Sequence, residues 1–375
     1  MRIDTVLLKV ASRCNLDCGY CYVYNMGDDS WRTMPKRIEP IVLAEVCAQL
    51  GRLQIAQNHP FAVVLHGGEP LLLGVARLDD LFTRLRSELP RTCSLNVQTN
   101  GILVDDAILD LCAKHGVRMS VSLDGPATVH DRNRKDRRGR DSHAAVAAGI
   151  ARLQSHRAAA EIFSGVLAVV DPTSDPHVVY DYFVSLGVPS VDFLYRDGNH
   201  ATLPFGKAGF DSVEFGSWMS KILDRYLADP RPPRIRLLDD MIRLLLGGSG
   251  IKEGVGLTDF GIVVVDTDGS VTKNDTLKST PGGDRFGDNW HVLRSELLEL
   301  VRSPDYLESH RMQRPSSAAC RSCTDLAICG GGMVTHRFSA ENGYANPTVF
   351  CADQKLLIAR MREHLSRQTG QQAAA

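Results

Sequence analysis

The sequence predicts an α/β chain: a curved, partly open (β/α)6 barrel followed by a smaller C-terminal domain that carries cysteines. Three observations lead there. Short runs rich in Val, Leu and Ile alternate with amphipathic stretches over the first 200 residues. Such alternation builds a parallel sheet with right-handed crossovers. The strand–helix units are six, too few for a closed eightfold barrel. Prolines between Pro230 and Pro233 then break the pattern.

The expected strands are Thr5–Val10, Phe61–His66, Ser94–Thr99, Val117–Leu123, Ile162–Val169 and Val191–Tyr195. Each is bounded by turn residues. The expected helices between them are Ile41–Leu53, Leu78–Leu89, Asp106–His115, Ala144–Ser155 and His177–Leu186, each with apolar residues on one face. The proline cluster places the domain junction, giving 1–230 for the barrel and 231–375 for the second domain. There a helix over Ile235–Leu246 stops at Gly247-Gly248. A hairpin follows, Gly261–Asp266 with Ser270–Lys273, around Thr267-Asp268-Gly269.

A length of 375 residues fits two domains at about 150 residues each. With 43% hydrophobic residues the chain can fill a sizeable core. A net charge of -1 supplies no field to hold a phosphate backbone, so nucleic acid is not an expected partner. No apolar run approaches the roughly 20 residues that cross a bilayer. No basic stretch leading into an apolar one follows Met1, so no signal peptide is read and a cytoplasmic location is expected. That compartment keeps thiols reduced, which argues against disulfides among the ten cysteines. Cys47, Cys93 and Cys112 lie among apolar neighbours and read as small core residues.

The other seven cysteines form two groups. The first reads Arg13-Cys14-Asn15-Leu16-Asp17-Cys18-Gly19-Tyr20-Cys21, directly after the first strand. In a parallel barrel, functional loops sit at the carboxyl ends of strands. Three thiolates in one short loop satisfy three irons of a [4Fe–4S] cluster and leave the fourth open to a substrate, whereas electron-transfer clusters take four cysteines. Structural zinc also takes four ligands, and no fourth Cys or His lies at zinc spacing here.

This segment resembles the radical S-adenosylmethionine (SAM) superfamily. The resemblance implies the partial barrel already inferred, with Cys14, Cys18 and Cys21 holding the SAM-binding cluster. It also implies reductive cleavage of SAM to a 5′-deoxyadenosyl radical. Tyr20 matches the aromatic residue that packs on adenine. Gly67-Gly68-Glu69-Pro70, at the end of strand two, matches the family's GGEP motif, in which the glycines let backbone approach the SAM amine and Glu69 helps bind it. Asn100 at the end of strand three joins the cofactor-contacting set. Ser122 ends strand four, where the family places a hydroxyl on the ribose. Arg134 matches an arginine that binds the SAM carboxylate, a task suited to a bidentate fork. The rest of the basic run Arg132–Arg140 reads as a solvated loop.

The second group is Cys320-x2-Cys323-x5-Cys329 with Cys351. It resembles the SPASM domain of peptide-modifying radical SAM enzymes, which in full form binds two auxiliary clusters. Asn274 and Met333 stand here where that motif has cysteine. The expected form is therefore reduced, with one auxiliary [4Fe–4S] cluster held by Cys320, Cys323, Cys329 and Cys351. Four cysteines also suit a structural zinc.

Further stretches are Tyr22-Val23-Tyr24, Ser30-Trp31-Arg32, Val263 through Gly269, Asp275 through Lys278, and Cys329-Gly330-Gly331-Gly332 with His336-Arg337 and Asn342 through Pro347. Together they resemble the FxsB-type cyclophane-forming maturases of ribosomally made precursor peptides. In such enzymes a β-carbon radical adds to a nearby aromatic ring. The implied partners are a precursor peptide and an electron donor such as flavodoxin or ferredoxin. Closing the ring needs an electron acceptor, which an oxidised auxiliary cluster provides, and a proton acceptor. Asp192, Arg196, Asp197 and His200 at the end of strand six are the candidates, Asp197 and His200 foremost because they flank a loop expected to face the barrel mouth, with a plain polar loop as the alternative. No room for a separate peptide-recognition domain is expected before Asp4. Epimerisation, thioether formation or oxidation of a peptide residue would be rival outcomes of the same machinery, and a non-enzymatic iron–sulfur or zinc scaffold is the remaining alternative.

Overall fold

The computed structural model describes residues 1–373, with side chains described as far as Arg367. Along the chain the main elements are β1 (Thr5–Ala11), α1 (Pro40–Gln57), β2 (Ala62–Gly67), α2 (Val75–Glu88), β3 (Ser94–Thr99), α3 (Asp106–His115) and β4 (Val117–Ser122). Then come α4 (His143–Ser155), β5 (Phe163–Val169), α5 (Pro176–Leu186), β6 (Ser190–Leu194), α6 (Glu214–Ala228), β7 (Arg234–Ile235) and α7 (Arg236–Leu245). The short strands β8 (Ile262–Val265) and β9 (Val271–Thr272) precede the final helix α8 (Cys351–Ala373).

Two compact units are formed. The first comprises Met1–Leu123, His130–Leu167 and Phe260–His310; the second comprises Asp124–Val129, Ala168–Asp259 and the chain from Arg311 onward. In the first unit β1 pairs with β2, β2 with β3, β3 with β4 and β4 with β5, all parallel. Burial alternates along β2, β3 and β4, and the core against the sheet is Val6, Leu8, Val63, Leu65, Leu95, Met119 and Val121. Each such side chain contributes roughly 1.5–3 kcal/mol by leaving water.

The expected α/β alternation is therefore present, and its ends follow local chemistry. Pro40 opens α1, where its missing N–H costs nothing. Asp105 caps α3 by accepting from Ile108 N at 2.8 Å, and Gly116 closes it in the left-handed region. Asp175 and Gly187 frame α5 in the same way.

The hairpin differs from expectation in one respect. Its first strand, β8, lies parallel to β1, with Thr5 opposite Ile262, so it extends the first unit's sheet. Its antiparallel partner is β9, as expected. In the second unit, β6 pairs with β7. Helix α6 packs against α5 and α8. The core there is aromatic: Phe193 meets Trp218 edge-on at 5.2 Å and Phe183 at 6.0 Å. No helix among the described residues is long and apolar enough to cross a membrane.

Candidate functional site

Cys14, Cys18 and Cys21 lie on the loop that leaves β1, and all three are free thiols of intermediate exposure. Two segments fix that loop. The first is the glycine pair after β2. Gly68 N donates to Ala11 O at 2.8 Å and Glu69 N to Arg13 O at 3.0 Å. A Cβ on Gly67 would stand 2.1 Å from Ala11 O, and one on Gly68 2.3 Å from Arg13 O. The glycines are thus required by the close approach of the chain's own cysteine loop. The second segment is the basic run. Asp17 N donates to Lys135 O at 2.8 Å, Gly19 N to Asn133 O at 2.9 Å, and Arg137 Nε to Cys14 O at 2.8 Å. Arg132, Arg137, Arg138 and Arg140 are exposed, as in a solvated loop, and the backbone of the run also braces the cysteine loop.

The expected SAM-contacting residues gather around this loop within the first unit. Arg134, 8% exposed, donates from Nη1 to Tyr20 Oη at 2.8 Å. Asn100 Nδ2 donates to Asn15 Oδ1 at 2.7 Å and lies 3.8 Å from Cys14 Sγ. Ser122 Oγ accepts from Gln98 Nε2 at 2.9 Å. Glu69 is fully buried. Its Oε1 accepts from Thr99 Oγ1 at 2.7 Å and Leu71 N at 3.0 Å, and its Oε2 from Asn100 N at 2.8 Å. Pro70 follows it and opens a short 3-10 turn. Burial raises the Glu69 pKa, and those hydrogen bonds oppose the rise. Glu69 therefore ties the end of β2 to the end of β3.

Burial pushes the Cys14 thiol up to about 12 and the Cys21 thiol up to about 11, with the neighbouring thiols adding to both. These sulfurs sense each other as charges and are protonated until a cation compensates them.

A group that pattern reading missed lies in the same unit. Lys9, 3% exposed, places Nζ 2.6 Å from Asp275 Oδ1 and 3.3 Å from Asp266 Oδ2. His66 stands opposite Lys9 in the β1–β2 register, and its Nδ1 has no hydrogen-bond partner. Burial would raise the Asp275 pKa, but Lys9, His66 and Lys278 lower it below the usual value. Burial would lower Lys9, and the two carboxylates raise it instead. The visible signal was a lysine at an otherwise apolar position of β1.

The second cysteine group is in the second unit. Cys320, Cys323, Cys329 and Cys351 line one cavity, with Gly331 and Thr348 beside them. Ser317 Oγ accepts from Cys320 N at 3.2 Å, and Cys351 begins α8. Gly330, Gly331 and Gly332 all take positive φ, 66°, 84° and 68°. A Cβ on Gly330 would stand 1.9 Å from Gly256 O, so the run after Cys329 is open to glycine alone. Burial pushes the Cys329 thiol up to about 12, and the other three cysteines add to it. Among the described residues no three His, Cys, Asp or Glu side chains are set around a single metal ion.

The positions where cysteine was absent have structural work. Asn274 Oδ1 accepts from Thr276 N at 3.1 Å and starts a 3-10 turn. Met333 packs on Gly254. The proton-acceptor candidates separate. His200 Nε2 lies 2.8 Å from Pro347 O, and its ring stacks on Phe210 at 4.7 Å. Asp197 instead stands 3.6 Å from His336 Nε2.

Residues 8–170 match the Radical SAM superfamily. An uncharacterized protein of Synechocystis sp. is 26% identical over 370 residues, covering 92% of this chain and 87% of that one. A cysteine-type anaerobic sulfatase-maturating enzyme of Clostridium perfringens is 25% identical over 375 residues, 94% of each chain. The solved structure of native anSMEcpe with bound AdoMet superposes with a TM-score of 0.83 at 22% identity, over 98% of this chain and 99% of that one. That enzyme with AdoMet and the Cp18Cys peptide gives 0.81. Streptococcus suis SuiB bound to its precursor peptide SuiA gives 0.60 at 13% identity, over 89% of this chain and 72% of that one. The fold is therefore shared with these enzymes, and the match to the Radical SAM superfamily spans residues 8–170 of it.

Proposed function

We propose that this chain modifies a ribosomally made peptide, closing a carbon–carbon crosslink between an aromatic ring and the β-carbon of a nearby residue. The observation that carries this reading is the stretch from Cys320 to Cys351. Its four-cysteine cavity suits one auxiliary cluster, while Asn274 and Met333 occupy the positions of the other. The peptide-bound structures of the fold relatives support a peptide as substrate.

Cys14, Cys18 and Cys21 would hold the cluster that binds SAM. Bound together, SAM and that cluster supply the means to take a hydrogen atom from the substrate's β-carbon. The chain's own residues do the rest. Arg134 holds the Tyr20 hydroxyl beside the cysteine loop, and Glu69 holds Asn100 against that loop. Closing the crosslink removes one hydrogen from the β-carbon and one proton and one electron from the ring, the electron passing to the oxidised cluster that Cys320, Cys323, Cys329 and Cys351 would hold, so the product is two mass units lighter. Asp197, paired with His336, is the proton acceptor that the geometry favours over His200, whose Nε2 is engaged by a carbonyl.

A second reading is oxidation of a peptide residue to a carbonyl. It is favoured by near full-length similarity to sulfatase-maturating enzymes. That product can also be two mass units lighter, so mass alone does not separate the two. The test is the purified chain with SAM, a reductant and the precursor peptide encoded beside it. The crosslink removes one aromatic proton in the NMR spectrum and leaves nothing for a hydrazide to trap. Hydrazide labelling would establish the second reading, and a product of unaltered mass would sink both.

A further inference from the structure

We infer that two basic segments bordering the cysteine loop of the first unit form the docking face for a small acidic protein that delivers single electrons. This rests on the proposed reading of Cys14, Cys18 and Cys21 as ligands of an iron–sulfur cluster. The chain as a whole has a net charge of -1, so cations are not in general excess. Yet residues 132–140 hold six Arg and Lys against one carboxylate, Asp136. Arg140 pairs with Asp136 and Lys135 with Asp141. Arg137 and Arg138 are exposed and make no ion pair among the described residues. A second segment carries Arg32, Lys36 and Arg37. Arg32 and Arg37 are exposed and likewise make no ion pair there. The guanidinium of Arg32 lies 5.3 Å from the Trp31 ring centre.

Both segments are joined to the cysteine loop by hydrogen bonds. Leu16 and Asp136 form an antiparallel bridge, and Arg137 Nε donates to Cys14 O at 2.8 Å. Ala11 and Arg37 form another bridge, and Ser12 N donates to Lys36 O at 3.2 Å. Asp17 and Asp29 are the exposed carboxylates nearby in sequence without a cation, so four unpaired guanidinium groups face two acids. Electron transfer falls off steeply with distance, so a carrier that serves this site must settle against this loop. Exposed charges left without a partner steer an oppositely charged protein to such a place and raise its rate of encounter. A nucleic acid fits less well, because the charge is local and the chain around it supplies no wider positive field. In the transfer the carrier is oxidised by one electron and the cluster reduced by one, with no bond made or broken between the two proteins.

The test uses the full chain reconstituted anaerobically, with an acidic flavodoxin as the probe. Calorimetry measures binding of the oxidised flavodoxin, and stopped-flow absorbance follows cluster reduction by its hydroquinone. The double variant Arg37→Glu with Arg138→Glu should bind at least tenfold more weakly and be reduced at least tenfold more slowly. Reduction by photo-excited deazaflavin, a small molecule that needs no docking face, should stay within about twofold of the parent. Replacing both residues by Lys should retain the parental affinity. Raising KCl from about 50 to about 300 mM should weaken parental binding at least tenfold, since exposed charges are screened. Where charge reversal costs iron, Arg37→Gln with Arg138→Gln reads the same loss of affinity with a milder change. Three results overturn the inference: parental affinity and rate in an iron-loaded Glu or Gln double variant, binding indifferent to salt, or loss of precursor-peptide binding in place of flavodoxin binding. Absence of iron from the reconstituted parent chain would instead overturn the cluster reading itself.

Discussion

The two cysteine groups are held in opposite ways. Cys14, Cys18 and Cys21 come from one short loop, clamped by the glycines after β2 and braced by the backbone at Asn133 and Lys135. Cys320, Cys323, Cys329 and Cys351 are gathered from separate pieces: a capped turn, a left-handed glycine run and the start of a helix. A braced loop presents its sulfurs from one side and leaves a direction open. Pieces gathered around a cavity close it. On the proposed reading of two clusters, three ligands against four would have a mechanical basis as well as a chemical one.

The largest expected effect tests the open direction. Replacing Cys14, Cys18 and Cys21 by Ala should abolish formation of 5′-deoxyadenosine and reduce iron from about eight to about four per chain. Twelve irons in the parent chain would break the comparison by adding a third cluster. Next come the two glycine supports. Gly68→Ala should empty the first site and spare the second, and Gly330→Ala should do the reverse. Each forces a Cβ against a carbonyl, at a cost of roughly 3 kcal/mol or more. Iron analysis of site-specific cysteine backgrounds reads the outcome, and loss of both clusters in either variant would show that the two sites are not independent.

A third prediction concerns the proton. Asp197→Asn should slow product formation by about 10²-fold while 5′-deoxyadenosine still forms, as for loss of a general base. His200→Ala should act mainly on stability, through the lost contact with Pro347. Equal kinetic effects of both would restore His200 as an acceptor. The smallest effect is on pH. Free thiols ionise near pH ~8.5 in an unfolded chain, whereas burial holds Cys14 and Cys329 up to about 12 and Cys21 up to about 11. Their folded pKa values are raised. Their contribution is therefore present below the unfolded value and lost as pH rises through the folded ones. The iron-free chain should lose urea resistance from about pH 9 upward. The loaded chain should instead weaken on acidification, as its thiolates take protons. An iron-free chain with a flat profile would mean that the cysteines are less buried than they stand.

Much of this was readable in the sequence, for local reasons. The bounds of β3 and α3 follow from the residues at their ends, Asp105 and Gly116 among them. The GGEP glycines and the cysteine spacings were also plain. What escaped depends on pairing across long stretches of chain. Helix α6 went unread although its apolar face is buried against α5 and α8. The β8 strand looked like half of a free hairpin because nothing local marks Ile262 as a neighbour of Thr5. The Lys9, Asp266 and Asp275 network escaped for the same reason: Lys9 stood out in an apolar strand, but its two partners are ordinary until the fold buries them with it. Charge density in Arg132–Arg140 pointed to solvent, where four of its side chains lie, but the brace is in its backbone, which composition does not report.

The brace behind the first cysteine loop also sets an order of events during synthesis. Cys14, Cys18 and Cys21 leave the ribosome before the segment that braces them. The carbonyls that shape their loop, at Asn133 and Lys135, arrive more than a hundred residues later. At 5–20 residues per second that interval is roughly 6–25 s. Through it the three thiols are present without the scaffold that spaces them. The motif is therefore completed well after its cysteines are made, and a nascent chain stopped before the brace emerges should not retain a cluster there.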